Sequence, residues 1–413
     1  MLSRTALPAQ LPPAPVTGTA AAARRLADRL TRLIRPLRVL DAVRWPDETE
    51  RAFHATRGDR LPAVGPDTYR RRPLPFGPAE TARGLRALDA DVRNELGTTD
   101  PAARLLRKAA REAELSARLV AARGTPHFAA LSRELYGSSV GAGWVPELTR
   151  LLERLLETLP PDGPAGRTLS APEAAAELAG RFAAYFGPTS RVAVTVCGGL
   201  ASDAAAGNGY LKLRAGATFS PADVRLLEVH EGWAHLATTL NGLRQPVLPV
   251  LARCTPSGTR TQEGLAVFLE LVTGSAGRAR VAKLLGRVRA VAMAEAGADF
   301  RDVYRFFLGS HDPAESYRLA ARVFRGSLPS GGPFTKDLSY GEGLVRVLAF
   351  VRQELAGGGW GRVPLLLCGK SAVEDVGLLA ELGRRGWLAP PRWVPPPLRD
   401  RAGLLARLES LAG

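Results

Sequence analysis

Apolar residues recur every three to four positions through long stretches of this chain, the period of an amphipathic helix. The pattern predicts helices over Ala22 to Val39, Pro78 to Leu96, Pro101 to Arg123 and Val145 to Leu159, separated by Gly-Pro, Thr-Pro and Pro-Pro steps. Ala171 to Phe186, Val281 to Ala296 and Pro313 to Phe324 continue it, and a last helix from Leu398 to Leu411 follows three prolines. The period changes to two at Arg191 to Val196, a β-branched alternating run, and again at Gly209 to Arg214, after the glycine-rich Cys197-Gly198-Gly199. Both are predicted strands. Val363 to Leu367 is a short apolar run that also suits a strand. The expected class is mainly α with a small β-sheet, and no internal repeat is evident.

Composition narrows this picture. The chain has 413 residues, 46% hydrophobic and 23% charged, which is ordinary for a globular protein of one large or two moderate domains. No apolar run is long enough to cross a bilayer, and the start, rich in alanine and proline, lacks the apolar stretch of a secretory signal. Residues 1–20 are expected to be a disordered tail. Cys197, Cys254 and Cys368 are odd in number and far apart, so neither a disulfide framework nor a zinc knuckle is expected, and a reducing cytoplasm is the default location. The net charge of +16 is carried by arginines dispersed among Asp and Glu. The longest basic run, Arg70-Arg71-Arg72, has no interleaved aromatic residues, which argues against nucleic acid as the main partner. An acidic protein tail would be steered by the same charge.

The chemistry lies in His230-Glu231-Gly232-Trp233-Ala234-His235. Two imidazoles suit a zinc ion, and a free carboxylate beside them can take a proton from an activated water. The spacing is HExxxH, one residue longer than the HExxH of common zinc proteases. In a regular α-helix, positions five apart lie about 140° from each other. The two rings can meet on one ion only if the turn is widened, as a π-bulge does. Ser220 as N-cap, Pro221 in the first turn and Asp223 near the positive end define the start of this helix, and Asn241-Gly242 its stop. The predicted strands before it form a sheet whose edge could pair with a peptide backbone.

A second helix is predicted from Thr259, with Thr259 and Gln262 as a capping box and Glu263 in its first turn. A glutamate from the helix after a two-histidine helix completes a His₂Glu zinc site. Gly264 would let the two helices approach closely.

These residues carry a resemblance. Gln262-Glu263-Gly264-Leu265-Ala266 matches the name-giving motif of the QEGLA-motif family, whose animal members are the microtubule-associated tyrosine carboxypeptidases. The HExxxH spacing is similar to the family's. Gly332 to Tyr340, containing Phe334-Thr335-Lys336-Asp337, resembles its FTKD-x-x-Y segment, and Cys368-Gly369-Lys370 its GK element. The likeness runs from about Leu26 to near the C-terminus. It implies a zinc carboxypeptidase; with the helical pattern, the expected organisation is a helical region over 21–160 followed by a zincin-like catalytic region over 161–413. It also implies that His230, His235 and Glu263 bind zinc and that Glu231 is the general base. One departure stands out: members usually carry Gly then Thr before the second histidine, where this chain has Trp233-Ala234.

An enzyme of this kind needs a donor for the developing oxyanion and a cation for the substrate's terminal carboxylate. Tyr340 is the candidate donor. Lys336 is the first candidate for the carboxylate and Arg260 the second, because lysine is scarce here and Lys336 stands inside a motif. The rival for Lys336 is an ion pair with Asp337, and for Trp233 it is packing behind the site. The expected substrate is a peptide or protein C-terminus, aromatic by resemblance. An endopeptidase or aminopeptidase is an alternative, as is a non-catalytic binding protein in which the altered Gly-Trp-Ala interior narrows the pocket.

Overall fold

The computed structural model describes residues 17–162, 168–187, 192–198, 200, 202–358 and 360–412. Three amphipathic runs fold with the expected bounds, Pro78–Leu96, Ala171–Phe186 and Pro313–Phe324. Their starts follow from local chemistry. The Ser170 hydroxyl accepts the Glu173 N–H while Glu173 accepts the Ser170 N–H, a reciprocal cap. Asp312 caps the helix that Pro313 opens. Most of the expected tail, residues 1–16, lies outside the described residues, and helix Gly18–Ile34 begins shortly before its predicted start.

Gly18–Ile34, Pro78–Leu96 and Pro101–Ala121 pack side by side and share an apolar core with Val247, Leu251, Cys368 and Leu379. A larger core joins Phe53 and the leucines of Trp144–Thr158 to Pro256–Val272, Arg278–Glu295 and Leu338–Ala356. Both cores draw residues from either side of position 160. Among the described residues, no helix is long and apolar enough to cross a membrane, and all three cysteines are free.

The helix carrying Glu263 starts earlier than predicted. Thr255 is its cap, accepting the Gly258 N–H at 3.3 Å, and Pro256 is its first residue. Gln262 and Glu263 therefore sit in its second turn. Gly264 does permit a close helix contact, but with Leu338–Ala356 rather than with the histidine helix. A Cβ there would stand 2.0 Å from the Gly343 carbonyl carbon, and one on Gly343 would stand 2.0 Å from the Arg260 carbonyl oxygen. The two glycines lock the glutamate helix to its neighbour.

The sheet content is small, as expected. Strand β1 (Leu169–Ser170) pairs antiparallel with β5 (Thr218–Phe219). Strands β2 (Ala193–Cys197), β3 (Ala204–Ala206) and β4 (Tyr210–Arg214) form a second sheet in the order β2-β4-β3, with β2 parallel and β3 antiparallel to β4. Leu211 and Leu213 of β4 pack on Leu178 and Phe182 of Ala171–Phe186. The expected strand at Val363 to Leu367 is instead part of a 3₁₀ helix, Trp360–Leu367. Pro364 lies inside it and has no N–H to give a strand ladder.

Candidate metal centre and its cleft

Residues 221–243 form one continuous helix whose winding changes twice. Pro221–Leu227 is α, Glu228–Leu236 is π, and Ala237–Leu243 is α again, running one residue past the expected stop. Ser220 caps its start, as the sequence predicts, and Asp223 also accepts the Ser220 N–H, which makes the cap reciprocal. In the π stretch hydrogen bonds run to the fifth residue, so positions five apart stand on nearly the same side. The five-residue spacing of the histidines meets this widened turn, and His230 Nε2 lies 3.2 Å from His235 Nε2.

Glu263 completes the group. Its Oε2 is 3.7 Å from His230 Nε2 and 3.6 Å from His235 Nε2. Donors on a tetrahedral zinc at about 2.0–2.1 Å stand roughly 3.3–3.4 Å apart, so the triangle already has the dimensions of such a site. The same Oε2 is buried and has no hydrogen-bond partner among the described residues, as expected of an atom reserved for a cation.

The site continues behind the histidines. His230 Nδ1–H donates to Glu270 Oε1 at 2.5 Å, which leaves the Nε2 lone pair for a metal. Glu270 is fully buried and is gripped by Arg280, with Nε and Nη2 each 2.8 Å from one of its oxygens. Burial pushes the Glu270 carboxyl up, but Arg280 and His230 outweigh it and hold it at about 2. Burial likewise opposes the charge on Glu263, yet Lys336 and the two imidazoles hold its carboxyl well below the usual range. His230 is pushed down by burial and up by Glu263 and Glu270, and ends at about 10. The centre is thus built to attract positive charge, a proton or a metal, and the two compete for the same nitrogen.

The three donors lie at a cleft of about 620 Å³ that also takes in Glu231 and Tyr340. Glu231 is half-buried beside the histidines. The Tyr340 ring lies nearly parallel to that of His230, with centroids 6.5 Å apart. Lys336 is buried, with Nζ 3.4 Å from Glu263 Oε1. Its rival partner is taken elsewhere: Asp337 is held by Arg322 in two hydrogen bonds of 2.7 and 2.8 Å. Arg260 does not join the group. Its Nε lies 2.9 Å from Glu342 Oε2, and it is not among the residues lining the cleft. Trp233 is also away from the cleft, on the other side of the helix, where Arg225 stacks on its indole at 4.5 Å and Tyr185 packs against it. Gly232 is there for space, since a Cβ would stand 2.4 Å from the Phe182 ring. The altered motif interior therefore does not fill the cleft.

Two cleft-lining cations carry no mark in the sequence. Arg287 and Arg325 line the cleft, and each has a buried Nε with no hydrogen-bond partner among the described residues. Burial, and then Arg322, pushes both guanidinium groups down, Arg325 to about 10. The cost of this crowded positive charge marks a place for an anion. Arginine was too common along the chain for these to stand out. Glu270 did leave a signal: it follows Glu263 by seven positions, which brings it back to within about 20° on an α-helix.

A mainly helical fold that brings two imidazoles and a carboxylate together at an open cleft, with a free carboxylate beside them, has the donor chemistry of metal-dependent hydrolases. The sequence makes the assignment more specific. This chain belongs to the microtubule-associated tyrosine carboxypeptidase family, whose model matches residues 51–413. No curated protein matches it.

Proposed function

We propose that this protein is a zinc-dependent carboxypeptidase that removes an aromatic residue from the C-terminus of a peptide or protein. The observation that carries the proposal is the donor triangle of His230, His235 and Glu263, with edges of 3.2, 3.7 and 3.6 Å. When bound, zinc would polarise the scissile carbonyl and acidify an attacking water to a pKa of about 7. Glu231 would take a proton from an attacking water and return it to the leaving amine. The Tyr340 hydroxyl is a neutral donor for the oxygen that gains charge. Lys336 holds Glu263 in place through its second oxygen, so Arg287 and Arg325 are the better partners for the terminal carboxylate.

The sheet supplies a track for the rest of the substrate. β3 is an edge strand, and Ala204, Ala205 and Ala206 line the cleft. Arg214 N–H donates to the Asp203 carbonyl and Gly207 N–H to the Tyr210 carbonyl, both at 2.8 Å. Antiparallel alternation then turns the backbone groups of Ala204 and Ala206 away from β4, although the Ala204 carbonyl already accepts the Ser202 hydroxyl. An extended peptide could add to this edge. The net charge of +16 would favour an acidic tail by long-range attraction.

The test is cleavage of paired peptides that end in Tyr or Phe, with free or amidated C-termini. A carboxypeptidase releases one residue from the free form and none from the amidated form. Internal cuts in both forms would replace this reading with an endopeptidase, and loss of the N-terminal residue from both with an aminopeptidase.

A further inference from the structure

Gln262 stands directly before Glu263 and lines the same cleft. It is 2% exposed, and among the described residues neither its Nε2 nor its Oε1 has a hydrogen-bond partner. A primary amide has two donors and an acceptor with two lone pairs, so this is a large unmet demand. Burial of such a group without partners costs stability and calls for an explanation.

The fold can satisfy a glutamine where it needs one for structure. Gln245 is equally buried, at 2%. Its Nε2 donates to the carbonyls of Asn241, Cys368 and Ala389 at 3.2, 2.9 and 3.1 Å, and its Oε1 accepts the Ala389 N–H at 2.8 Å. It ties three segments together. Gln262 ties nothing, and it occurs where a peptide must pass. The peptide group offers one N–H and one C=O, the complement of a carboxamide.

We propose that the Gln262 carboxamide is a specificity residue that hydrogen-bonds a backbone peptide group of the bound substrate. This rests on the carboxypeptidase reading and deepens it. The side chain reads main chain, so it selects peptides without regard to their side chains.

The test compares Gln262→Met and Gln245→Met with wild type for kcat/KM on a peptide with a free aromatic C-terminus, for zinc content and for thermal midpoint. Gln262→Met should lose at least about tenfold in kcat/KM, the scale of one buried hydrogen bond. It should keep its zinc, and its midpoint should equal or exceed wild type, because an unpartnered amide has gone. Gln245→Met should lower the midpoint. If wild type cleaves and Gln262→Met cleaves within about twofold of it, the inference is overturned while the carboxypeptidase reading stands. A fall in the Gln262→Met midpoint as large as that of Gln245→Met would make Gln262 a structural residue and also overturn it. If wild type releases no residue from any such peptide, the reading beneath the inference fails first.

Discussion

Glu270→Gln changes one atom at a residue that touches neither the cleft nor a substrate, yet it should weaken the metal site. Glu270 is wholly buried, accepts the His230 Nδ1–H at 2.5 Å and is held by two 2.8 Å hydrogen bonds from Arg280. The amide keeps an acceptor for His230 but removes the charge that makes that imidazole a better ligand. Replacement of such a partner lowers metal affinity by about 10- to 100-fold. The loss to folding is separate. Arg280 keeps its charge while its partner becomes neutral, and breaking a buried pair in this way costs roughly 3–5 kcal/mol. A domain of ordinary stability has about 5–15 kcal/mol in total, so the variant should fold with a clear drop in its denaturation midpoint. Zinc affinity is read by competition with a chromogenic chelator, and stability by urea unfolding of the metal-free protein, so that lost metal is not mistaken for lost packing. A variant with unchanged zinc affinity would refute the claim that Glu270 supports the centre through His230. Unchanged stability would refute the claim that the Arg280 pair is energetically committed.

Glu231→Gln should retain its zinc and lose about 10²- to 10⁴-fold in kcat; turnover at the wild-type rate would remove Glu231 as the base. Gly264→Ala should cost about 1–3 kcal/mol of stability, read as a lower urea midpoint, because its Cβ would fall 2.0 Å from backbone of Gly343; a wild-type midpoint would show that the two helices can part without cost. Acid should destabilise the protein through Glu270 and Asp337. Both carboxyls are held below their unfolded values, so their contribution is complete above pH about 4.5 and is lost as pH falls, for Glu270 towards about 2. Urea midpoints across that window should fall less steeply in Glu270→Gln than in wild type, and parallel slopes would contradict the assignment.

The site was more legible than the architecture around it. The five-residue histidine spacing demanded a widened turn, and the structure has a π stretch over Glu228–Leu236. Helices with a clear polar face, such as Pro313–Phe324, could be placed to the residue. Leu338–Ala356 could not, because it is buried on most sides and carries Gly341 and Gly343, so neither its period nor its propensity marks a helix. Strand β3 is three alanines with no β-branching, and only its pairing with β4 makes it a strand. By sequence Arg260 is the second candidate for the substrate carboxylate, with a solvated or ion-paired side chain as its rival. Its direction depended on Glu342, more than eighty positions away, which no local pattern reveals. Thr259 and Gln262 imitate a capping box at the start of the glutamate helix, while the functioning cap, Thr255 before Pro256, lies one turn earlier.

The central claim is that His230, His235 and Glu263 close on one zinc because the helix is π-wound between the histidines. Anomalous diffraction at the zinc edge from a crystal of the zinc-loaded protein tests it directly. The account predicts one strong peak about 2.0–2.2 Å from both Nε2 atoms and from a Glu263 oxygen. A peak held by only one of the histidines, with residues 228–236 wound as regular α-helix, would contradict it.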